Sequence, residues 1–127
     1  MSAADRFAAL PDLLDADPDL KHRGRWVTVH CRVDVGDEPF FLAFRDGALL
    51  AFERGARLMR STAFTIRASD EAWTQHWQPM PAPGWHDLFA LTKRGAALMD
   101  GDLRPLLQNL QFFKDLLALP RRQSVGA

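Results

Sequence analysis

Polar and apolar residues alternate with a period of two along residues 26–35, and this is the clearest structural pattern in the chain. One face of the segment is apolar throughout, and the other carries polar side chains. Such alternation is typical of a β-strand with one buried face. We therefore expect a strand that directs its valine-rich face into a core. That face consists of Val27, Val29, Cys31, Val33 and Val35.

Turn-forming residues divide the following segment into further strands. Gly36-Asp37 ends the first strand, and Asp46-Gly47 is a strong signal for a two-residue hairpin turn. Apolar runs or alternation flank this hairpin, recur just before Ser69, and appear once more before Gly101. The predicted strands are residues 26–35, 39–45, 48–53, 63–68 and 96–99.

Helical spacing of apolar residues predicts helices in four other places. Near the amino terminus, over residues 3–20, Pro11 and Pro18 lack the N–H group that a helix interior requires, so we expect two or three short helices. Ser69 is a suitable N-cap for a helix that places Trp73 and Trp77 on one face. Later helices are expected over residues 86–93 and 102–119, after a loop with three prolines at residues 78–84.

The last helix carries more apolar surface than one packing face requires. Its first apolar row contains Leu103, Leu106, Leu107, Leu110, Phe113 and Leu117. A second row, nearly opposite, contains Phe112, Leu116 and Leu119. A helix docked on a sheet buries a stripe about 100° wide. The second row is therefore expected to contact another helix, another chain or an apolar ligand, and Asp102 is expected to cap the helix.

The order of elements favours an α+β fold. Helices and strands do not alternate regularly, and 127 residues correspond to one domain. We expect a single domain over residues 1–127, ordered over about residues 3–119 and followed by a frayed tail that includes Arg121 and Arg122.

Several of these features together resemble the sterol-carrier-protein domain family. They are the order of the elements, the Asp46-Gly47 hairpin, the passage from strand to helix at residues 64–69, and the short strand ending in Asp100-Gly101 before an amphipathic helix. The resemblance covers about residues 3–119 and is to a small stand-alone member of bacterial type. It implies a five-stranded, mostly antiparallel sheet covered on one face by helices. It also implies a tunnel for fatty acyl chains, sterols or other lipids.

The aromatic composition gives separate support for an apolar cavity. The chain has nine Phe, four Trp and no Tyr, so its rings supply apolar area with few hydroxyl groups. A well-filled core explains the same composition. If a cavity exists, we expect its mouth near the proline loop, where Met80 adds a flexible thioether. The expected ligand-binding residues are Phe44, Phe52, Phe64, Trp73, Trp77, Met80, Trp85, Phe89, Leu107, Leu110 and Phe113.

Charge and cysteine content narrow the classes of function. Sixteen basic and sixteen acidic side chains cancel, which disfavours nucleic acid as a partner. One cysteine, Cys31, cannot form an internal disulfide, and acidic residues near the amino terminus do not suit a secretory signal. The longest apolar runs are far below the roughly 20 residues that span a bilayer. We therefore expect a soluble, cytoplasmic protein with no stable membrane insertion.

No pattern in the sequence predicts catalysis, a metal site or a cofactor. Histidines 22, 30, 76 and 86 lie in separate elements, and we expect surface or loop positions for them. Cys31 shares the valine face of its strand and is expected to behave as a small hydrophobic residue. The glycines form no phosphate-binding loop. We expect no enzyme, no metal and no cofactor.

Alternatives to a lipid carrier remain open. The second apolar row could pair with an identical chain in a homodimer, or with a partner enzyme, leaving a filled core without a ligand cavity. An enzyme could hold a hydrophobic substrate beside His86 and Asp87. In a carrier, these two residues could instead meet the polar head of an amphiphile. The basic residues Arg54, Arg57 and Arg60 could bind a carboxylate or phosphate.

Overall fold

The computed structural model describes residues 2–55 and 61–124, which form one mixed sheet and a set of short helices. The strands are β1 (Val29–Val35), β2 (Glu38–Arg45), β3 (Ala48–Arg54), β4 (Phe64–Ala68) and β5 (Ala97–Gly101). Their order across the sheet is β3-β2-β1-β4-β5. Only the β1–β4 pairing is parallel among these strands, and the other three pairings are antiparallel. The predicted α+β fold with a five-stranded, mostly antiparallel sheet is confirmed.

The first three strands form the expected meander. Asp46 and Gly47 both have positive φ, at 49° and 82°, as a turn between two twisted antiparallel strands requires. A Cβ at Gly47 would lie 2.6 Å from the Cα of Arg25, so this position also needs glycine for space. In β1, the predicted valine face is buried, and Cys31 is buried with it.

The helices are short and most begin with a defined cap. They are α1 (Ala3–Phe7), α2 (Leu10–Asp15), α3 (Pro18–Arg23), α4 (Asp70–His76), α5 (Leu88–Lys93), α6 (Arg104–Gln108) and α7 (Leu110–Leu117), followed by a 3₁₀ helix at Leu119–Ser124. Pro11 and Pro18 occupy the first turns of α2 and α3, where no N–H is needed, as the interrupted amino-terminal helix predicted. None of the described helices is long and apolar enough to cross a membrane.

The helices contact the sheet face that carries the valines of β1. Phe7 of α1 lies 4.8 Å from Phe40 of β2 between ring centroids. Phe113 of α7 lies 5.5 Å from Phe64 of β4 in an edge-to-face arrangement. The core therefore lies between one face of the sheet and the helices, and aromatic rings form much of it.

The expected single helix over residues 102–119 is wrong. The chain forms α6 and α7 instead, with a break at Asn109, whose φ of −125° is outside the helical region. The Asn109 side-chain amide donates to the Pro105 carbonyl, a local bond that competes with continuation of the helix. Asp102 does not serve as the N-cap, which is Leu103. It accepts from the Arg104 backbone N–H and guanidinium instead.

The second apolar row of the last helix is buried within its own chain. The exposed fractions of Phe112, Leu116 and Leu119 are 5%, 0% and 1%. Phe112 packs against Gly24 at the end of α3 and lies 5.7 Å from Phe44. Phe112 therefore faces α3 while Phe113 faces the sheet, and the second row is covered by the chain itself. This removes the reason for expecting a homodimer through this row.

Candidate functional site

One face of α4 carries three buried rings. Ser69 caps the helix by accepting from the Ala72 N–H, and its spacing places Trp73, His76 and Trp77 on the same side. All three side chains are buried. The expectation that His76 lies at the surface or in a loop is wrong, because its i+3 spacing from Trp73 puts it on the packed face.

A continuous row of rings runs from His76 into the core. Trp73 lies 5.9 Å from His76 and stacks on Trp77 at 5.3 Å. Trp77 in turn lies 6.0 Å from Phe7, which contacts Phe52 at 5.8 Å. The two indole N–H groups are satisfied, since Trp73 donates to the Asp34 carbonyl and Trp77 to the Leu117 carbonyl.

His76 is held in one tautomer by the residue that follows the proline loop, Trp85. Its Nδ1 lies 2.8 Å from the Trp85 carbonyl, so Nδ1 must carry the proton that it donates. The neutral ring then has a lone pair on Nε2. This atom is buried and has no hydrogen-bond partner among the described residues.

Burial is the largest influence on the protonation of His76. It lowers the pKa of the ring, and the positive charge of Arg121 nearby lowers it further. The Trp85 carbonyl and the Asp87 carboxylate act on this pKa in the opposite direction without reversing it. His76 is therefore a neutral hydrogen-bonding group at neutral pH.

Asp87 links the start of α5 to α7. Its carboxylate accepts from the Phe89 N–H as the helix N-cap and forms an ion pair with Lys114 at 2.9 Å. Burial raises the pKa of Asp87, but the hydrogen bond and charge of Lys114, together with backbone hydrogen bonds from Ala90 and Phe89, outweigh this and the net pKa is lowered. The Lys114 ammonium also lies 5.1 Å from the Phe89 ring centroid. A partly exposed polar pair therefore lies beside an aromatic ring between α5 and α7, close to the end of α4, and we call this region of α4, α5 and α7 the junction.

Two arginines link the end of α4 to neighbouring segments through hydrogen bonds to backbone carbonyls. Arg6 donates to the carbonyls of Trp77 and Pro120. Arg121 donates to the His76 carbonyl at 2.7 and 3.0 Å. The expectation of a frayed tail from residue 120 is therefore wrong for Arg121 and for Pro120, which is buried. Arg122 pairs with Asp17 of the α3 cap at 2.8 Å.

The structure brings together most of the predicted ligand-binding residues, but in two packed groups. Phe44 and Phe64 meet Phe113 at 6.2 and 5.5 Å, while Trp73 and Trp77 belong to the row on α4. Trp85, Phe89 and Leu110 are half-buried near the junction or on α7, and Phe52 is half-buried on β3. Met80 and Leu107 are separate from these groups, with exposed fractions of 90% and 55%.

Other candidate groups contribute little to the junction. Arg54 pairs with Glu38 and Asp5, and Arg57 and Arg60 lie outside the described residues. A surface depression of about 430 Å³ beside the proline loop has a largely polar lining of Arg23, Pro79, Asp115, Ala118, Arg121 and Arg122. Burial raises the pKa of the Cys31 thiol to about 12, so this residue behaves as a small hydrophobic side chain. The described residues contain no group of three His, Cys, Asp or Glu side chains that could hold a metal ion.

Known structures share this architecture. No protein-family model and no curated protein matches the sequence. A crystal structure of sterol carrier protein 2 superposes with a TM-score of 0.69 over 95% of both chains, at 15% identity. A conserved hypothetical protein from Thermus thermophilus, described as possibly a sterol carrier protein, gives 0.65 over 96% of this chain and 88% of that one, at 16% identity. A UbiJ-SCP2 ubiquinone synthesis protein gives 0.59 over 94% and 91%, at 21% identity. The chain therefore has the sterol-carrier-protein fold, as the resemblance in its sequence predicted.

Proposed function

We propose that this protein binds a lipid or another hydrophobic small molecule and carries it without changing it chemically. The observation that carries this proposal is the junction of α4, α5 and α7. There, the polar groups of His76, Asp87 and Lys114 border an aromatic interior. Apolar sites with a few placed polar groups are typical of small-molecule binding. The names of the structural neighbours, sterol carrier proteins among them, support the same class of ligand.

We place the entrance between α5 and α7. Phe89 is half-buried there, and Leu110 lies one helical turn before Lys114 on the same side of α7. Phe113 and Phe64 lie deeper, against the sheet. An apolar chain that separated these rings would exchange ring contacts for contacts with the ligand. Its polar end would remain at the polar border formed by His76, Asp87 and Lys114.

The proposal of a carrier without catalysis rests on how the polar groups are engaged. Among the described residues, the donor nitrogen of His76 faces a backbone carbonyl, and the Asp87 carboxylate pairs with Lys114. General acid–base catalysis requires a titratable group oriented by a polar partner towards the reacting atoms. The carboxylate is thus engaged by Lys114, while the free Nε2 of His76 is buried and burial lowers the pKa of the ring, so we propose that this atom accepts a hydrogen bond and does not take up a proton. With its single cysteine buried and free, we also place the protein in the reducing cytoplasm.

Titration with a fluorescent fatty-acyl probe, followed by displacement with unlabelled fatty acid, tests the proposal. We expect saturable binding that Phe89→Ala weakens about fivefold to tenfold, because the ring contributes apolar contact area at the entrance. The matched control is Leu98→Ala, an exposed position on β5 away from the junction, which should leave the affinity unchanged. Absence of saturable binding, or equal weakening by both variants, would refute the proposal.

A filled interior supports a second candidate, an accessory module without a ligand. Trp73, Trp77 and Phe7 are fully buried and pack against one another. Such a module would act through its surface, on a partner protein or a second copy. Mass spectrometry under native conditions separates the two candidates, because it reports subunit number and retained ligand together. A retained lipid mass supports the carrier, and a ligand-free mass combined with no probe binding supports the module.

A further inference from the structure

The most unusual polar atom in the described part of the molecule is Nε2 of His76. The side chain has an exposed fraction of 2%, and Nε2 has no hydrogen-bond partner among the described residues. Nδ1 is already committed to the Trp85 carbonyl at 2.8 Å, so Nε2 can act only as an acceptor. Leaving a buried acceptor unsatisfied costs free energy, so the fold retains an acceptor that a bound donor would stabilise.

The polar groups around His76 are engaged elsewhere. The Trp73 indole, whose ring lies 5.9 Å away, donates to the Asp34 carbonyl. Arg121 donates to the backbone carbonyl of His76 and not to its ring. The Asp87 carboxylate is paired with Lys114 and with the α5 backbone. A buried water needs two to four polar partners, and these commitments leave few for it.

We propose that Nε2 of His76 accepts a hydrogen bond from the hydroxyl head of an amphiphile, so that the ligands of this protein are apolar chains ending in an alcohol. This inference rests on the proposed function and specifies its ligand class. The ligand chain enters beside Phe89 and lies against the aromatic interior. Its hydroxyl proton points to Nε2.

A carboxylate does not fit the same acceptor. It has no proton to donate at neutral pH, and its oxygens would face the lone pair of Nε2. The cations near the ring are engaged, since Lys114 is paired with Asp87 at 2.9 Å and Arg121 donates to the His76 carbonyl. Because burial lowers the pKa of His76, the ring does not gain a second donor proton at neutral pH. The junction therefore favours a neutral donor over an anion.

The test compares 1-octanol, its methyl ether 1-methoxyoctane and octanoate, three probes built on an eight-carbon chain. We expect octanol to bind about tenfold more tightly than the ether, the value of one well-formed hydrogen bond, and more tightly than octanoate. Long-range nitrogen–proton NMR spectra of the histidine rings provide an independent reading. The His76 ring should carry its proton on Nδ1, and the Nε2 signal should shift with octanol but not with the ether.

The variant His76→Asn isolates Nε2 from the loop contact. An asparagine amide N–H lies near the position of Nδ1 and can still donate to the Trp85 carbonyl, whereas nothing replaces Nε2. The preference for octanol over the ether should disappear in this variant. The matched control is His86→Asn, at an exposed histidine in the adjacent loop, which should keep the preference.

The outcomes distinguish this inference from the proposed function. Equal binding of octanol and ether with an unchanged Nε2 signal overturns the hydroxyl assignment and leaves lipid binding intact. Tighter binding of octanoate, or a proton on Nε2 in the free protein, also overturns it. If none of the three probes binds and the fatty-acyl probe also fails, the proposed function falls and this inference falls with it.

Discussion

At the scale of single residues, α4 is anchored by three ring donors. Trp73 donates to the Asp34 carbonyl of β1, Trp77 to the Leu117 carbonyl of α7, and His76 to the Trp85 carbonyl, which directly follows the proline loop. Large rings can be buried at low cost only when their polar atoms find partners. Each ring of this helix therefore fixes a different neighbouring segment. Nε2 of His76 is the exception among the ring nitrogens of this face.

The buried His76 should make stability dependent on pH. Its native pKa is lowered, so as the pH falls past the ordinary histidine value of 6.5 the unfolded chain takes up a proton before the native ring does. The contribution of the neutral His76 ring to the free energy of unfolding is fully present above pH 6.5 and decreases below it, by at most about 1.4 kcal/mol per pH unit. The groups that face the ring are Arg121, His86 and Asp87, from the 3₁₀ helix and the loop before α5. The free energy of unfolding, measured in urea, should therefore fall between pH 7 and pH 5.5.

Two comparisons assign that pH dependence to His76. His76→Asn should reduce the loss of stability in acid, whereas His86→Asn should behave like the unmodified protein. In the unmodified protein, the NMR titration of the His76 ring should have its midpoint below the ordinary histidine value of 6.5. A ring that titrates at or above that value, or an unchanged slope in His76→Asn, would contradict the prediction.

At the scale of elements, periodicity predicted the strands well because one sheet face is buried. The valine face of β1 and the Asp46-Gly47 turn lie where the alternation and turn chemistry place them. The division of the last helix was not predictable from period alone. It depends on the Asn109 conformation and on its bond to Pro105, a local competition that apolar spacing does not report.

The contact between α3 and α7 is tight enough to test with one methyl group. Gly24 has a φ of −93°, which alanine accepts, but a Cβ there would overlap the ring of Phe112. That ring cannot move freely because it packs on Phe44 and Phe113 at 5.7 and 5.4 Å. Gly24→Ala should therefore lower the free energy of unfolding by about 1–3 kcal/mol, as overpacking does. Urea unfolding provides the measurement.

A second substitution shows whether the ring is the cause. Phe112→Leu leaves space beside residue 24, so Gly24→Ala should cost less in that background than in the unmodified protein. Equal costs in both backgrounds would mean that the effect of the methyl group does not act through Phe112.

At the scale of the whole molecule, the sequence predicted the fold better than the site. Element order and turns identified the architecture, while the choice between a filled core and a cavity depended on how rings from distant segments meet. Phe7, Trp77 and Phe113 come from three separate helices, and no spacing within the chain predicts their contacts. His76 was missed for a related reason. Its place between two tryptophans on a helix face was the available signal, but its loop partner, Trp85, could not be identified from the sequence.

The second apolar row of the last helix is buried within the chain, and a substitution tests whether it stabilises the fold or a subunit interface. Leu116 of α7 has an exposed fraction of 0%, so Leu116→Lys should destabilise the fold by more than about 4 kcal/mol by burying an unpaired charge. The matched control is Leu107→Lys on α6, where the leucine is 55% exposed and the cost should stay within about 0.5 kcal/mol. Circular dichroism during urea unfolding gives the stabilities, and sedimentation gives the mass. If Leu116→Lys instead remained folded and halved the mass of the native protein, Leu116 would lie at a subunit interface and the packing of α7 described above would be wrong.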